Sequence, residues 1–129
     1  MKLKNKKLLT GKAYIGGKWL DGSKSFEVTN PANGETIAEV ADLEVADVRA
    51  AIEAADAAFP AWAAKSAKER AGYLRKWYEL IVENADDLAA ILTAEQGKPL
   101  FEAKGEVIYG ASFLEWFANS QGYPFQVFQ

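Results

Sequence analysis

The chain of 129 residues contains no cysteine and no histidine. Without cysteine there is no disulfide framework and no thiolate nucleophile. Without histidine the usual zinc ligand sets drop out, as does any catalytic triad built on an imidazole base. A cytoplasmic setting is the default expectation. Long apolar runs are missing too. Lys2, Lys4, Lys6 and Lys7 are followed only by Leu8 and Leu9 before Thr10, far short of a signal-peptide core or of a membrane span of about 20 residues. Nor is there a broad basic face: acidic residues outnumber basic ones 18 to 15, and four of the basic ones sit in that lysine tail. The body is therefore acidic, and nucleic-acid binding is excluded.

What is present is the composition of a folded domain, half hydrophobic and 26% charged. Residues 1–13 read as a flexible basic tail. Tyr14 to Leu20 and Ser25 to Thr29 are rich in aromatic and β-branched residues and read as two strands, with Asp21-Gly22-Ser23 as the hairpin turn between them. Asn30-Pro31-Ala32-Asn33-Gly34 reads as a second turn, and Glu35 to Val40 as a third strand.

From Glu44 the period lengthens from two to about 3.6. Val45, Val48, Ile52, Ala55 and Phe59 fall on one helical face, which predicts a buried stripe, with Asp47, Arg49, Glu53 and Asp56 turned to water. Pro60 is expected to end or kink that helix. Ser66 and Glu69 have the spacing of a capping box, and Leu74, Trp77, Tyr78 and Ile81 form the buried stripe of the helix that follows, to about Glu83. Asn84 reads as the cap of a further helix, with Asp86 and Asp87 at its positive end and Leu88, Ile91 and Leu92 inward. Gly97 and Lys98-Pro99 close it.

The last helix departs from this pattern. Between Val107 and Phe117 the only charge is Glu115. A helix that is apolar almost all round requires neighbours on several sides. The rest of the chain supplies too few, so segment 107–117 marks a surface for a protein partner or for self-association. After it, Asn119-Ser120-Gln121-Gly122 is turn-like and residues 123–129 form an uncharged aromatic tail.

The constellations that can carry chemistry have plainer readings beside them. Gly11 to Trp19 has the look of a phosphate loop, but Trp19 stands where a metal-binding hydroxyl belongs and the segment lies in a hairpin. Gly105 and Gly110 fall within a helix, where glycine serves close packing. Glu79 with Glu83, and Glu102 with Glu106, are carboxylates one turn apart that can share a proton or a divalent ion, yet Lys76 and Lys104 are placed to pair with them on a solvated face. Trp19, Trp62, Trp77 and Trp116 each lie on or beside an apolar stripe and read as core. No catalytic, cofactor-binding or metal residue is assigned.

Tyr14 to Trp19, Val28 to Glu35, Phe59-Pro60-Ala61-Trp62, Ser66 to Arg70 and Glu95-Gln96-Gly97-Lys98-Pro99-Leu100, in this order and spacing, resemble the N-terminal part of aldehyde dehydrogenases. Continuing through Glu102-Ala103-Lys104-Gly105-Glu106, Ala111-Ser112-Phe113 and Glu115-Trp116-Phe117, the chain looks most like the NAD(P)-dependent succinate-semialdehyde dehydrogenase branch. The resemblance covers residues 14–118, with a divergent tail over 119–129. It implies an α+β portion, mainly helical, with an N-terminal β-hairpin followed by about four helices. The implied parent is a homo-oligomer using NAD or NADP, in which a cysteine thiolate attacks the aldehyde and a glutamate acts as base during thioester hydrolysis. None of those catalytic or cofactor residues has a counterpart here, which implies an inactive chain that holds no cofactor by itself. Two weaker transfers follow from the resemblance: a structural monovalent cation beside Val28, Thr29 and Glu95, and a substrate-entrance position for Tyr109.

Overall fold

A computed structural model describes residues 1–120. A single 3-10 turn at Lys6–Leu8 precedes four strands, β1 (Ala13–Ile15), β2 (Lys18–Leu20), β3 (Lys24–Thr29) and β4 (Thr36–Asp42). Four helices follow: α1 (Val45–Ala63), α2 (Ala67–Glu83), α3 (Ala85–Gln96) and α4 (Leu100–Ser120). The mainly helical α+β architecture is thus the expected one, but the β portion differs. The strand expected over Tyr14 to Leu20 is broken by Gly16 and Gly17, whose φ values of 57° and 82° form a two-residue hairpin loop that side chains with a Cβ rarely allow. Ile15 consequently pairs with Lys18, and β1–β2 is a hairpin in its own right. Asp21-Gly22-Ser23 only links it to a second hairpin, in which β3 pairs with β4 around the Asn30–Gly34 turn.

Within residues 1–13, read above as a flexible tail, the amides of Lys4 and Asn5 donate to the two carboxylate oxygens of Asp87 at 3.0 and 2.7 Å. Further along, Gly11 accepts a backbone hydrogen bond from Ala41 in β4 at 2.7 Å. The segment is therefore strapped to both α3 and the second hairpin.

Pro60 neither ends nor visibly interrupts α1, which continues to Ala63. It sits in the final turn, where its missing N–H removes a single bond and the remaining turn closes through Ala64 donating to the Pro60 carbonyl at 3.0 Å. The α2 start is the capping box expected: Ser66 Oγ accepts from the Glu69 amide at 3.3 Å and Glu69 Oε2 from the Ser66 amide at 2.9 Å. At Asn84 the expected side-chain cap is absent. Its amide instead donates back to the Leu80 carbonyl at 2.8 Å, because α2 runs almost directly into α3. Gly97 closes α3 in the left-handed conformation, φ 80°. α4 is longer than its apolar segment and carries Asn119 and Ser120 within it rather than in a turn. The rest of that expected turn and the aromatic tail lie outside the described residues.

Helices α2, α3 and α4 pack together, and the buried apolar residues at their meeting are all alanines: 85, 89, 94, 103, 111 and 118. Small side chains let the helices approach closely, but they bury little area each, and among the described residues no large side chain is fully enclosed. The large apolar residues are outside. The α1 stripe expected to be buried is exposed, from Val45 at 77% to Phe59 at 64%. The tryptophans assigned to a core are exposed as well, Trp116 at 70%. Periodicity identifies which face needs covering; it does not supply the cover.

Area makes the same point. A folded monomer of 14.1 kDa exposes about 6,700 Å² by the usual scaling. This chain exposes 9821 Å². Residues 121–129, taken as fully extended, explain at most about 1,600 Å² of the difference, which leaves an excess on the order of 1,500 Å² on the described part.

Candidate functional site

The glycines that mimic a phosphate loop are occupied otherwise. Gly16 and Gly17 form the β1–β2 turn with Lys18 already in β2, and Gly105 and Gly110 are interior to α4. The paired carboxylates remain on exposed helix faces, but their partners differ from those expected. Lys98, not Lys104, pairs with Glu106, while Lys104 reaches Asp86 at 2.7 Å. Among the described residues no group of three or more acidic side chains gathers to hold a metal ion.

Asp86 and Asp87 form the main electrostatic centre. Lys104, as hydrogen-bond donor and nearby charge, and then Lys4 hold the Asp86 carboxyl below its ordinary value. Asp87, only 6% exposed, is held low first by the amide of Asn5 and then by that of Lys4. Sequence reading placed both aspartates at the positive end of α3 but not these partners, since neither a lysine side chain 18 residues from Asp86 nor backbone donors more than 80 residues from Asp87 leave a local pattern.

The Asn30–Gly34 turn comes down on the α3–α4 turn. A Cβ placed on Gly97 would lie 3.0 Å from Cγ of Pro31. Beside this contact is a cleft of about 370 Å³ lined by Met1, Asn30, Ala32, Thr93, Ala94 and Leu100. The Thr93 hydroxyl is buried without a hydrogen-bond partner. Of the positions tied to a cation by resemblance, Val28 is half-buried, whereas Thr29 and Glu95 are exposed.

The fourth region is α4 itself. Its inner face, Ala103, Ala111 and Ala118, meets α2 and α3. Arg75 of α2 lashes it in place, donating to Glu115 Oε1 at 2.8 Å and to Asn119 Oδ1 at 2.6 Å. Glu115, the lone charge in the apolar segment, is thereby accounted for. The opposite face presents Phe101, Ile108, Tyr109, Phe113 and Trp116 to solvent. Tyr109 and Phe113 meet edge to face at 5.0 Å and, with Trp116 and the Arg75-bound Glu115, line an open hollow of about 560 Å³. Between Ile108 and Phe113 no residue is charged.

A Rossmann-type dinucleotide site has a glycine turn between a parallel strand and a helix, so that backbone amides and the helix N-terminus face the pyrophosphate. Both strand pairs here are antiparallel and no described glycine occupies such a turn. Among the described residues there is no Rossmann-type cradle for NAD or NADP. Nor are any of the described helices long and apolar enough to cross a membrane.

Residues 19–123 match the aldehyde dehydrogenase family. The chain is 57% identical to glutarate-semialdehyde dehydrogenase of Pseudomonas putida, with 92% of this chain and 25% of that protein covered. It is 52% identical to the NADP-dependent succinate-semialdehyde dehydrogenase of Escherichia coli over the same shares. Its backbone superposes on an aldehyde dehydrogenase of Brucella melitensis biovar abortus with a TM-score of 0.91 at 52% identity, covering 93% of this chain and 25% of that one. A succinate-semialdehyde dehydrogenase of Burkholderia pseudomallei gives 0.90 at 52% identity with the same coverage. The chain thus spans about a quarter of the length of the relatives it matches. The two hairpins, the helix order and the Gly97-Lys98-Pro99 turn therefore make up the N-terminal portion of a larger fold, and the chain belongs to the aldehyde dehydrogenase family.

Proposed function

We propose that this chain is the N-terminal scaffold portion of a semialdehyde dehydrogenase whose whole form oxidises succinate semialdehyde, or its one-carbon-longer homologue glutarate semialdehyde, to the dicarboxylate with NAD or NADP as hydride acceptor. The observation that carries the reading is the joint occurrence of 52–57% identity to semialdehyde dehydrogenases and apolar helix faces that none of the described residues covers. Its own residues contribute no cysteine thiolate, since cysteine is absent, and the described ones no Rossmann-type dinucleotide cradle. What they contribute is a rigid platform: two hairpins strapped by the N-terminal segment, and three helices packed on alanines with α4 turned outward. The setting we assign is cytoplasmic, and the parent is assigned as a homo-oligomer. By itself the chain is inert as a dehydrogenase. The test is absorbance of the reduced nicotinamide on mixing the purified chain with NAD or NADP and either semialdehyde. A flat trace is expected, and turnover proportional to protein concentration overturns the assignment.

A further inference from the structure

We propose that the outer face of α4 is a docking seam for the complementary part of an aldehyde dehydrogenase chain, so that this polypeptide completes such a domain when the remainder is supplied separately. The inference rests on the family reading above and names its partner. The seam runs from Phe101 to Trp116, about 22 Å at helical rise, and lies opposite the alanine face that meets α2 and α3. Large side chains alternate on it with small ones. A Cβ at Gly105 would meet nothing within 4 Å, so between Phe101 and Ile108 there is a notch into which a partner's side chain can enter. From Ile108 to Phe113 the seam is uncharged, and Glu106 and Glu115 at its margins already hold Lys98 and Arg75, so its centre selects an apolar counter-surface, since a charge buried there would find no partner.

Area distinguishes the two occupants that share this chemistry. A second copy docked symmetrically on α4 hides about 800 Å² per chain in a standard interface. That leaves the α1 stripe of Val45, Val48, Ile52 and Phe59 open, and the excess on the described part, on the order of 1,500 Å² by the same surface scaling, is only half met. A covering chain about three times the length of this one reaches both. The solved relatives hold the same backbone within chains of which it is a quarter.

The experiment co-refolds the full chain with the Escherichia coli succinate-semialdehyde dehydrogenase cut to lack the quarter that this chain matches. Light scattering is expected to show an equimolar complex, absent for either piece alone, that reduces NADP in the presence of succinate semialdehyde. Phe113→Asp and Trp116→Asp are each expected to weaken association at least about tenfold, as truncated anchors at an interface centre do, whereas Phe113→Leu retains it. Circular dichroism of the free variants checks that helix content is unchanged. The proposal is overturned if no complex forms, or if the chain alone is a defined dimer that Phe113→Asp dissolves. It is also overturned if deleting residues 121–129 exposes Tyr109 and Trp116 that the full chain shields. A covalent chimaera, with residues 1–120 replacing the matched quarter of the E. coli enzyme, separates the two readings. If the chimaera turns over while the separate pieces ignore each other, the seam falls and the family reading stands; an unfolded or inactive chimaera sinks both.

Discussion

Replacing Gly97 by alanine tests how the α3 stop and the Asn30–Gly34 turn depend on each other. Gly97 holds φ at 80°, a conformation that costs a residue with a Cβ about 1–2 kcal/mol. Alanine returns about 0.4–1 kcal/mol by narrowing the unfolded ensemble. Were conformation the whole story, the net loss would be about 1 kcal/mol. The added methyl also lies 3.0 Å from Cγ of Pro31, tighter than ordinary contact, and overpacking of this kind adds about 1 kcal/mol or more. Gly97→Ala is therefore expected to cost about 2 kcal/mol. Gly34 supplies the control: its φ is 73°, but a Cβ there meets nothing within 4 Å, so Gly34→Ala carries only the conformational part, about 1 kcal/mol. Urea unfolding followed by far-ultraviolet circular dichroism measures both. Adding Pro31→Ala to Gly97→Ala should recover most of the gap, while adding it to Gly34→Ala should recover nothing. Equal losses for the two glycine variants would refute the contact between the turns, and a Gly97→Ala variant as stable as the original would refute the left-handed cap itself.

Asp87 makes the N-terminal strap pH-dependent. Because its carboxyl is held below the ordinary 3.8 by the amides of Asn5 and Lys4, its contribution is present above the unfolded aspartate range and is lost as pH falls through the lower, folded value. Amide resonances of Lys4 and Asn5 are expected to shift with a midpoint below 3.8, and Asp87→Asn to speed tryptic cleavage at Lys4 and Lys6 at neutral pH; a midpoint at or above the ordinary value, or unchanged cleavage, contradicts the strap. Ser66→Ala removes the acceptor for the Glu69 amide and is expected to destabilise α2 by about 1 kcal/mol, and to raise the Glu69 carboxyl toward its ordinary value, since Ser66 is the main reason it is low. Carboxyl titration by NMR and urea midpoints read the two effects. Ala103→Leu, at a site with no exposure between α4 and its neighbours, is expected to cost about 1–3 kcal/mol. A neutral result there would mean that the helices do not meet on alanines.

Local chemistry was legible in the sequence where a residue's partner lies within a turn of it. Ser66 and Glu69 declare the start of α2 from three residues apart, and Gly97 with Pro99 declares the end of α3. The first hairpin was misread because Asp21-Gly22 and Gly16-Gly17 are both competent reversals, and only strand pairing decides between them. The α1 stripe was found on its correct residues but assigned a burial this chain does not provide. The partners of Asp87 and the pairing of Arg75 with Glu115 were missed because they are made by tertiary approach, and Lys98 with Glu106 because a reach of eight residues from a turn into α4 is not a helical spacing. For the candidate surface, the near absence of charge from Val107 to Phe117 gave the segment, while the division of α4 into an alanine face and an aromatic face needed the positions of α2 and α3.

An interior lined with methyl groups turns the usual map of substitution sensitivity inside out. A saturation scan scored on folding of the isolated chain should find its least forgiving positions among six of the smallest side chains, whereas Phe101 and Trp116, normally the residues one would never touch, should accept polar replacements and even gain solubility from them.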